Sequence, residues 1–371
     1  MYLFLLFTYL LQNCFAYRTT FLRSNMMKMV TSNLDSDTKY NLNWYVIGDT
    51  RDFVQNKLYS KTIWNKKYVV WKTKDKYYAM DDTCSHRGVA LSRGKLFNDN
   101  VVCPYHGYQF NNHGVLAYVP GLLNFTNTPC QNIDTYEIVD KNGWVYLNTI
   151  SKLFYKPNVT SIYEEPESKE KGFSAIFINK IFKAYSRIVS ENSLDVMHIG
   201  FVHTFGNTES PSPITEIPPF EVKDYPFHYK TIYSYLSGTD SIVKKIFDIK
   251  QLIIENEFVL PHTTIARVKF GELTSTVMTF ALPINETCSQ LFVKTYRNFW
   301  TTPKNSTGIF DSFFNWMGDL ITIYLMRETV NQDKGIIESI PNSKVDGKFN
   351  MKYDKLQNTY SSLYKKYIHT L

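Results

Sequence analysis

Between residues 42 and 150 the apolar positions come in short alternating runs, each closed within a few residues by Gly, Asn, Asp or Pro. That is the pattern of half-buried strands joined by tight turns. Lys67–Lys74, Val101–Cys103 and Gly143–Leu147 are the clearest of these strands, and the region reads as a small antiparallel all-β domain. Residues 151–172 interrupt the pattern with Pro157, Pro166 and a run of charges, and read as a linker. The spacing then predicts a helix within Phe173–His203, and after it long runs rich in β-branched and aromatic residues at His228–Leu236, Gln251–Leu260, Thr263–Phe270, Thr274–Leu282 and Gln290–Trp300. A last helical region spans Ile309–Ile340. The fold class is α+β, with an all-β domain at 42–150 and a second domain at 173–371 whose antiparallel sheet is covered by helices over a substrate pocket.

Residues 1–16 stand apart. Tyr2 to Leu11 is an apolar run too short to span a bilayer, and Cys14-Phe15-Ala16 offers small residues around a cleavage point, so 1–16 reads as a signal peptide. Residues 17–41 hold Arg18, Arg23 and Lys28, several Ser and Thr, and no acid before Asp35. A transit-like segment behind a signal peptide is the address of a plastid bounded by extra membranes; the alternative is secretion or retention in the ER. In that case the sequons at Asn124, Asn158, Asn285 and Asn305 would be open to glycosylation. No later segment reads as transmembrane, since Asp311 and Asp319 interrupt the apolar stretch Phe310–Met326.

Length and charge narrow the class further. A chain of 371 residues suggests two domains. The formal charge of +7 is moderate and its cations are scattered among acids, so no nucleic-acid surface is expected. Aromatic content is 16%, which suits either compositional bias or a pocket for a flat ligand. Five cysteines, two of them in the motif below, leave Cys14, Cys130 and Cys288, an odd and widely spaced remainder that is no disulfide framework.

The chemistry begins at Cys84-Ser85-His86 and Cys103-Pro104-Tyr105-His106. Two Cys and two His in this order and spacing form a Rieske [2Fe–2S] ligand set, with the cysteines on one iron and the histidines on the other. A structural zinc site is the alternative, but a Cys-x-His pair is too short for the usual finger spacing. Gly88 and Gly107 follow the histidines, where a residue without Cβ lets backbone N–H groups turn toward the sulfurs, and Pro104 stiffens the second loop.

A second constellation runs from Glu191-Asn192 through Asp195 and His198 to His203. Two imidazoles and one carboxylate on one face of an iron leave positions open for dioxygen. On an ideal helix Asp195 and His198 share a face, but His203 is rotated roughly 140° from His198. The helix must therefore distort or end, and Gly200 is where that is cheapest.

Together the motifs Cys-x-His-x16-Cys-x2-His and Glu-Asn-x2-Asp-x2-His-x4-His resemble the Rieske-type non-haem iron oxygenases, from about residue 42 to the C-terminus. Asn43 to Gly48 looks like their first strand, while Glu191–His203, Asn331-Gln332-Asp333 and Tyr353-Asp354-Lys355-Leu356 look most like the plastid branch, which contains chlorophyllide a oxygenase, pheophorbide a oxygenase and Tic55-like proteins. The disulfide that ties the cluster loops of respiratory Rieske proteins has no counterpart, because Val89 and Tyr105 hold those places.

The resemblance implies a [2Fe–2S] cluster on Cys84, His86, Cys103 and His106, and a mononuclear Fe(II) on His198, His203 and Asp333. Asp319 and Glu338 are the competing carboxylates. Asp195 and Asn192 become the catalytic candidates, Asp195 as a bridge from His106 of one subunit to His198 of its neighbour in a homotrimer. It further implies an electron-donating ferredoxin or reductase, dioxygen and an apolar small-molecule substrate, with peripheral membrane association left open. A chlorophyll-type tetrapyrrole is the expected substrate class; a sterol, or a Tic55-like redox role without oxygenation, is the alternative.

Overall fold

Two-residue hairpins pin the N-terminal strands. The computed structural model describes residues 42–74, 76–122, 125–203, 207, 209–236, 251–301, 309–341, 344, 346–347 and 350–368. The expected signal peptide and transit-like segment, Cys14, and the sequons at Asn124 and Asn305 lie outside the described residues. The chain divides into two compact units, Met1–Ile162 with Tyr367–Leu371, and Tyr163–Lys366.

In the first unit β1 (Trp44–Asp49), β2 (Leu58–Ile63), β3 (Lys66–Thr73), β4 (Lys76–Asp81), β9 (Thr135–Lys141) and β10 (Trp144–Ser151) make a sheet of order β1-β10-β9-β4-β3-β2. A second sheet orders β5 (Lys95–Phe97), β6 (Asn100–Val102), β7 (Gln109–Phe110) and β8 (Leu116–Tyr118) in sequence. Trp64-Asn65, Asn98-Asp99 and Asn142-Gly143 all have positive φ at both central positions of their loops. This is the type I′ geometry, whose twist matches that of the flanking strands. The core between the sheets gathers Val69, Trp71, Met80, Leu91, Val101 and Phe110 around Cys84 and Cys103.

The second unit is built on a seven-stranded antiparallel sheet, β11-β17-β16-β15-β14-β13-β12. Its strands are β11 (Ser174–Phe182), β12 (Thr215–Glu221), β13 (His228–Leu236), β14 (Gln251–Val259), β15 (Thr263–Phe270), β16 (Leu273–Asn285) and β17 (Cys288–Arg297). Among the described residues four helices accompany it: α1 (Ser186–Leu194), α2 (Ile199–Val202), α3 (Ile309–Ile337) and α4 (Lys355–Tyr367). The α+β expectation and most strand positions hold. Among the described residues no helix is long and apolar enough to cross a membrane.

The helix expected within Phe173–His203 runs over Ser186–Leu194, and ahead of it Ser174–Phe182 pairs with β17 over nine consecutive residues as an edge strand. The boundary between the units, at Ile162/Tyr163, falls within the segment 151–172 read as a linker, in which β10 runs to Ser151 and Glu165 and Glu167 are buried in the second unit. Glu165 accepts from Lys294 and from the Tyr296 hydroxyl at 2.8 Å, and Glu167 accepts from Arg267 at 2.6 Å and Thr276 at 2.7 Å. These charges are satisfied by cations and hydroxyls on strands far along the chain, as burial of a charge requires. Finally, β12 and α4 were not anticipated.

The sheet also sets the end of α1. Asn256 of β14 donates to the Leu194 carbonyl at 3.1 Å, taking one of the acceptors that a helix C-terminus leaves open. Asp195 then has ψ 121°, and the chain leaves helical geometry there.

Candidate metal centres

Two loops of the first unit close in the same way. The Cys84 N–H donates to Val89 O at 2.9 Å and Gly88 N–H to Cys84 O at 2.9 Å; the Cys103 N–H donates to Tyr108 O at 2.8 Å and Gly107 N–H to Cys103 O at 3.1 Å. Gly88 at φ 73° and Gly107 at φ 71° hold the left-handed turn that this closure needs. The glycine N–H groups thus bind carbonyls, not sulfurs; at Cys84 the N–H groups facing the sulfur are those of His86 and Arg87.

Both cysteines are buried, whereas His86 and His106 are exposed with ring centroids 4.8 Å apart. His86 stacks on Tyr108 at 4.8 Å, and Tyr105 lies 3.8 Å from the His106 ring. Burial, with the adjacent Cys103 thiol adding to it, pushes the Cys84 thiol up to about 11. A Cys84 thiolate at neutral pH therefore needs a bound cation beside it, which suits a sulfur meant for a metal. Among the described residues all four cysteines are free, in line with the absence of a tying disulfide.

In the second unit His198, His203 and Asp333 converge. The two Nε2 atoms are 3.2 Å apart, and each is 3.4 Å from Asp333 Oδ1. Donors about 2.1 Å from a first-row metal and at right angles to one another stand about 3 Å apart, so these three atoms fit one face of an octahedral ion. Asp333 Oδ1 is buried without a hydrogen-bond partner, the state expected of an oxygen reserved for a cation. Gln332 Oε1 accepts from His203 Nδ1 at 3.1 Å, which leaves the Nε2 lone pair of His203 facing the other two donors. Burial holds His203 below the ordinary imidazole value, which favours its neutral, ligating form. At His198 burial works the same way, but the Asp333 carboxylate and the Asp195 charge outweigh it and the net shift is upward.

The other sequence candidates fall elsewhere. Asp319 pairs with Arg297 at 2.5 Å and accepts from Ser174 at 3.0 Å, while Glu338 pairs with Lys334 at 3.0 Å and accepts the Lys183 N–H at 2.7 Å. Asn192 is half-buried on α1, its carbonyl accepting from Asp195 N at 3.1 Å. Asp195 Oδ1 caps the turn into α2, accepting from Met197 N at 2.8 Å and His198 N at 3.3 Å; His198 Nδ1 lies 4.0 Å away, beyond hydrogen-bond reach.

The helix break comes at Asp195, not at Gly200. Gly200 is needed for another reason: a Cβ there would come within 2.7 Å of Pro211. Gln332 had no role assigned from sequence. Its position beside Asp333 on a helix facing two histidines was the available signal.

Residues 43–136 match the Rieske [2Fe-2S] domain family. The iron-sulfur subunit of the toluene-4-sulfonate monooxygenase system from Comamonas testosteroni is 26% identical over 47% of this chain and 50% of its own. Pheophorbide a oxygenase of Arabidopsis thaliana chloroplasts is 26% identical over 51% of this chain and 36% of its own. The chain thus spans about half, or less, of the length of these curated relatives. Dicamba monooxygenase bound to dicamba superposes with a TM-score of 0.72 at 18% identity, covering 88% of this chain and 97% of that one. The chain therefore carries a Rieske [2Fe–2S] domain at residues 43–136 and resembles in sequence and fold the Rieske-type oxygenases, the plastid branch among them.

Proposed function

We propose that the chain is an oxidoreductase in which electrons from a ferredoxin or reductase pass through a [2Fe–2S] cluster to a mononuclear iron that oxidises an apolar organic substrate. The observation that carries this reading is the convergence of His198, His203 and Asp333, in a chain that also holds the Rieske ligand set. The bound groups would supply one-electron transfer and activation of dioxygen.

The chain's own residues prepare those steps. Cys84 and Cys103 bring buried sulfurs, and His86 and His106 place rings at the surface where a donor can dock. Gln332 holds a proton on His203 Nδ1, and Asp333 offers an uncommitted oxygen. A chlorophyll-type tetrapyrrole as substrate and a homotrimer as assembly follow from the resemblance to the plastid branch.

Dioxygen uptake by the metal-loaded protein should require both a reduced donor and an apolar substrate, and His198→Ala should abolish it while the cluster spectrum persists. Equal uptake in His198→Ala would sink the oxygenase reading and favour a redox component. The plastid assignment rests on residues 1–41, so a fluorescent fusion of residues 1–45 should enter plastids. Retention of that fusion in the ER would instead favour a sterol as substrate.

A further inference from the structure

Helix α3 carries a feature that the metal site does not use. Its C-terminal turns present Gln332 and Asp333, but its first four turns lie far from those residues along the helix. There Gly318 and Thr322 face the sheet: a Cβ on Gly318 would come within 2.4 Å of Trp300 O, and Thr322 Oγ1 accepts from Arg297 Nε at 2.9 Å. Asp319, the one charged residue between positions 312 and 326, is turned onto Arg297.

The opposite face is apolar and open. Phe313, Trp316, Met317, Leu320, Ile321 and Tyr324 are between 38% and 66% exposed. At 3.6 residues per turn they cover an arc of about 140°. Side chains of this size that are about half exposed present on the order of 700 Å² together. That exceeds the few hundred Å² typical of a monomer's largest apolar patch, and it matches one partner's share of a standard protein interface, about 800 Å². Polar residues resume at Arg327 and Glu328, so the patch has a sharp end.

Charge selects the occupant. Two copies of a chain with formal charge +7 repel over most of their surfaces. They can meet without burying an unmatched charge on a face that has none. About a twofold axis such a face meets its own copy with no like-charge pair opposed across the contact. A helix lying in a bilayer surface carries Lys and Arg beside its apolar face; here the border offers Arg327 next to Glu328.

We propose that the Phe313–Tyr324 face of α3 packs against the same face of a second copy about a twofold axis. This rests on the proposed homotrimer only for its size: the contact pairs two such trimers into a particle of six chains, and pairs two chains if no trimer forms. Sedimentation velocity on the full-length, metal-loaded protein should give a particle mass that is an even multiple of the chain mass. Trp316→Glu combined with Tyr324→Glu should halve that mass, with the cluster absorption unchanged. An odd multiple for the wild type, or an unaltered mass in the variant, overturns the proposal.

Mild oxidation of Met317→Cys, which leaves the rest of the face in place, should give a covalent pair that the wild type does not form. Absence of that cross-link also overturns it. Flotation of the wild type with phosphatidylcholine–phosphatidylserine vesicles, lost in the Glu variant while the mass stays the same, would overturn it in favour of a bilayer surface.

Discussion

Asp333→Ala should abolish iron binding at the proposed mononuclear site while the [2Fe–2S] absorption survives. The carboxylate supplies one of three donors, and its Oδ1 stands 3.4 Å from both imidazole Nε2 atoms with no hydrogen bond of its own. Ala leaves two neutral ligands and removes the only negative charge among the three, so iron affinity should fall by at least the 10–100-fold that even indirect partners of a metal are worth. The four cluster ligands belong to the other unit and are untouched. Asp319→Ala and Glu338→Ala should leave the iron in place, because their partners are Arg297 and Lys334. Iron analysis of the three variants decides the matter. Full mononuclear occupancy in Asp333→Ala, with loss in one of the others, would move the ligand to that residue.

Asp195→Asn separates two roles of one carboxylate. Asn keeps an Oδ1 that can accept from the Met197 and His198 N–H groups, so the cap into α2 and the iron site should persist. What is lost is the negative charge 4.0 Å from His198 Nδ1 and any bridge it makes to a neighbouring cluster. Turnover should fall 10–100-fold or more with both metals retained. Near-normal single-turnover rates in Asp195→Asn would mean that the carboxylate acts only as a cap.

Much of this fold was legible along the chain. The runs at His228–Leu236 and Thr263–Phe270 coincide with β13 and β15, because β-branched and aromatic residues there both alternate and pair. Where reading failed, the deciding partner was distant. Ala175 to Ile181 alternates weakly enough to pass for a helix, and only its pairing with β17 makes it a strand. The burial of Glu165 and Glu167 depends on Lys294 and Arg267, which lie far along the chain. Helix α4 could have been found: Leu356, Tyr360 and Tyr364 recur every four residues and are all buried.

The site divides similarly. Cysteine and histidine spacing identified the six ligand candidates among those residue types. The resemblance already preferred Asp333 to Asp319 and Glu338 in the same helical region, and the fold adds that Asp333 is the one that faces His198 and His203.

The most direct test is the metal content of protein purified without oxygen. Two centres in one chain require about three irons and two acid-labile sulfides, with a rhombic EPR signal averaging near ~1.9 on reduction as His-ligated [2Fe–2S] centres give. Cys130→Ser and Cys288→Ser should leave that signal intact, since neither cysteine lies in the cluster loops. A colourless protein that holds zinc and no sulfide would contradict the account.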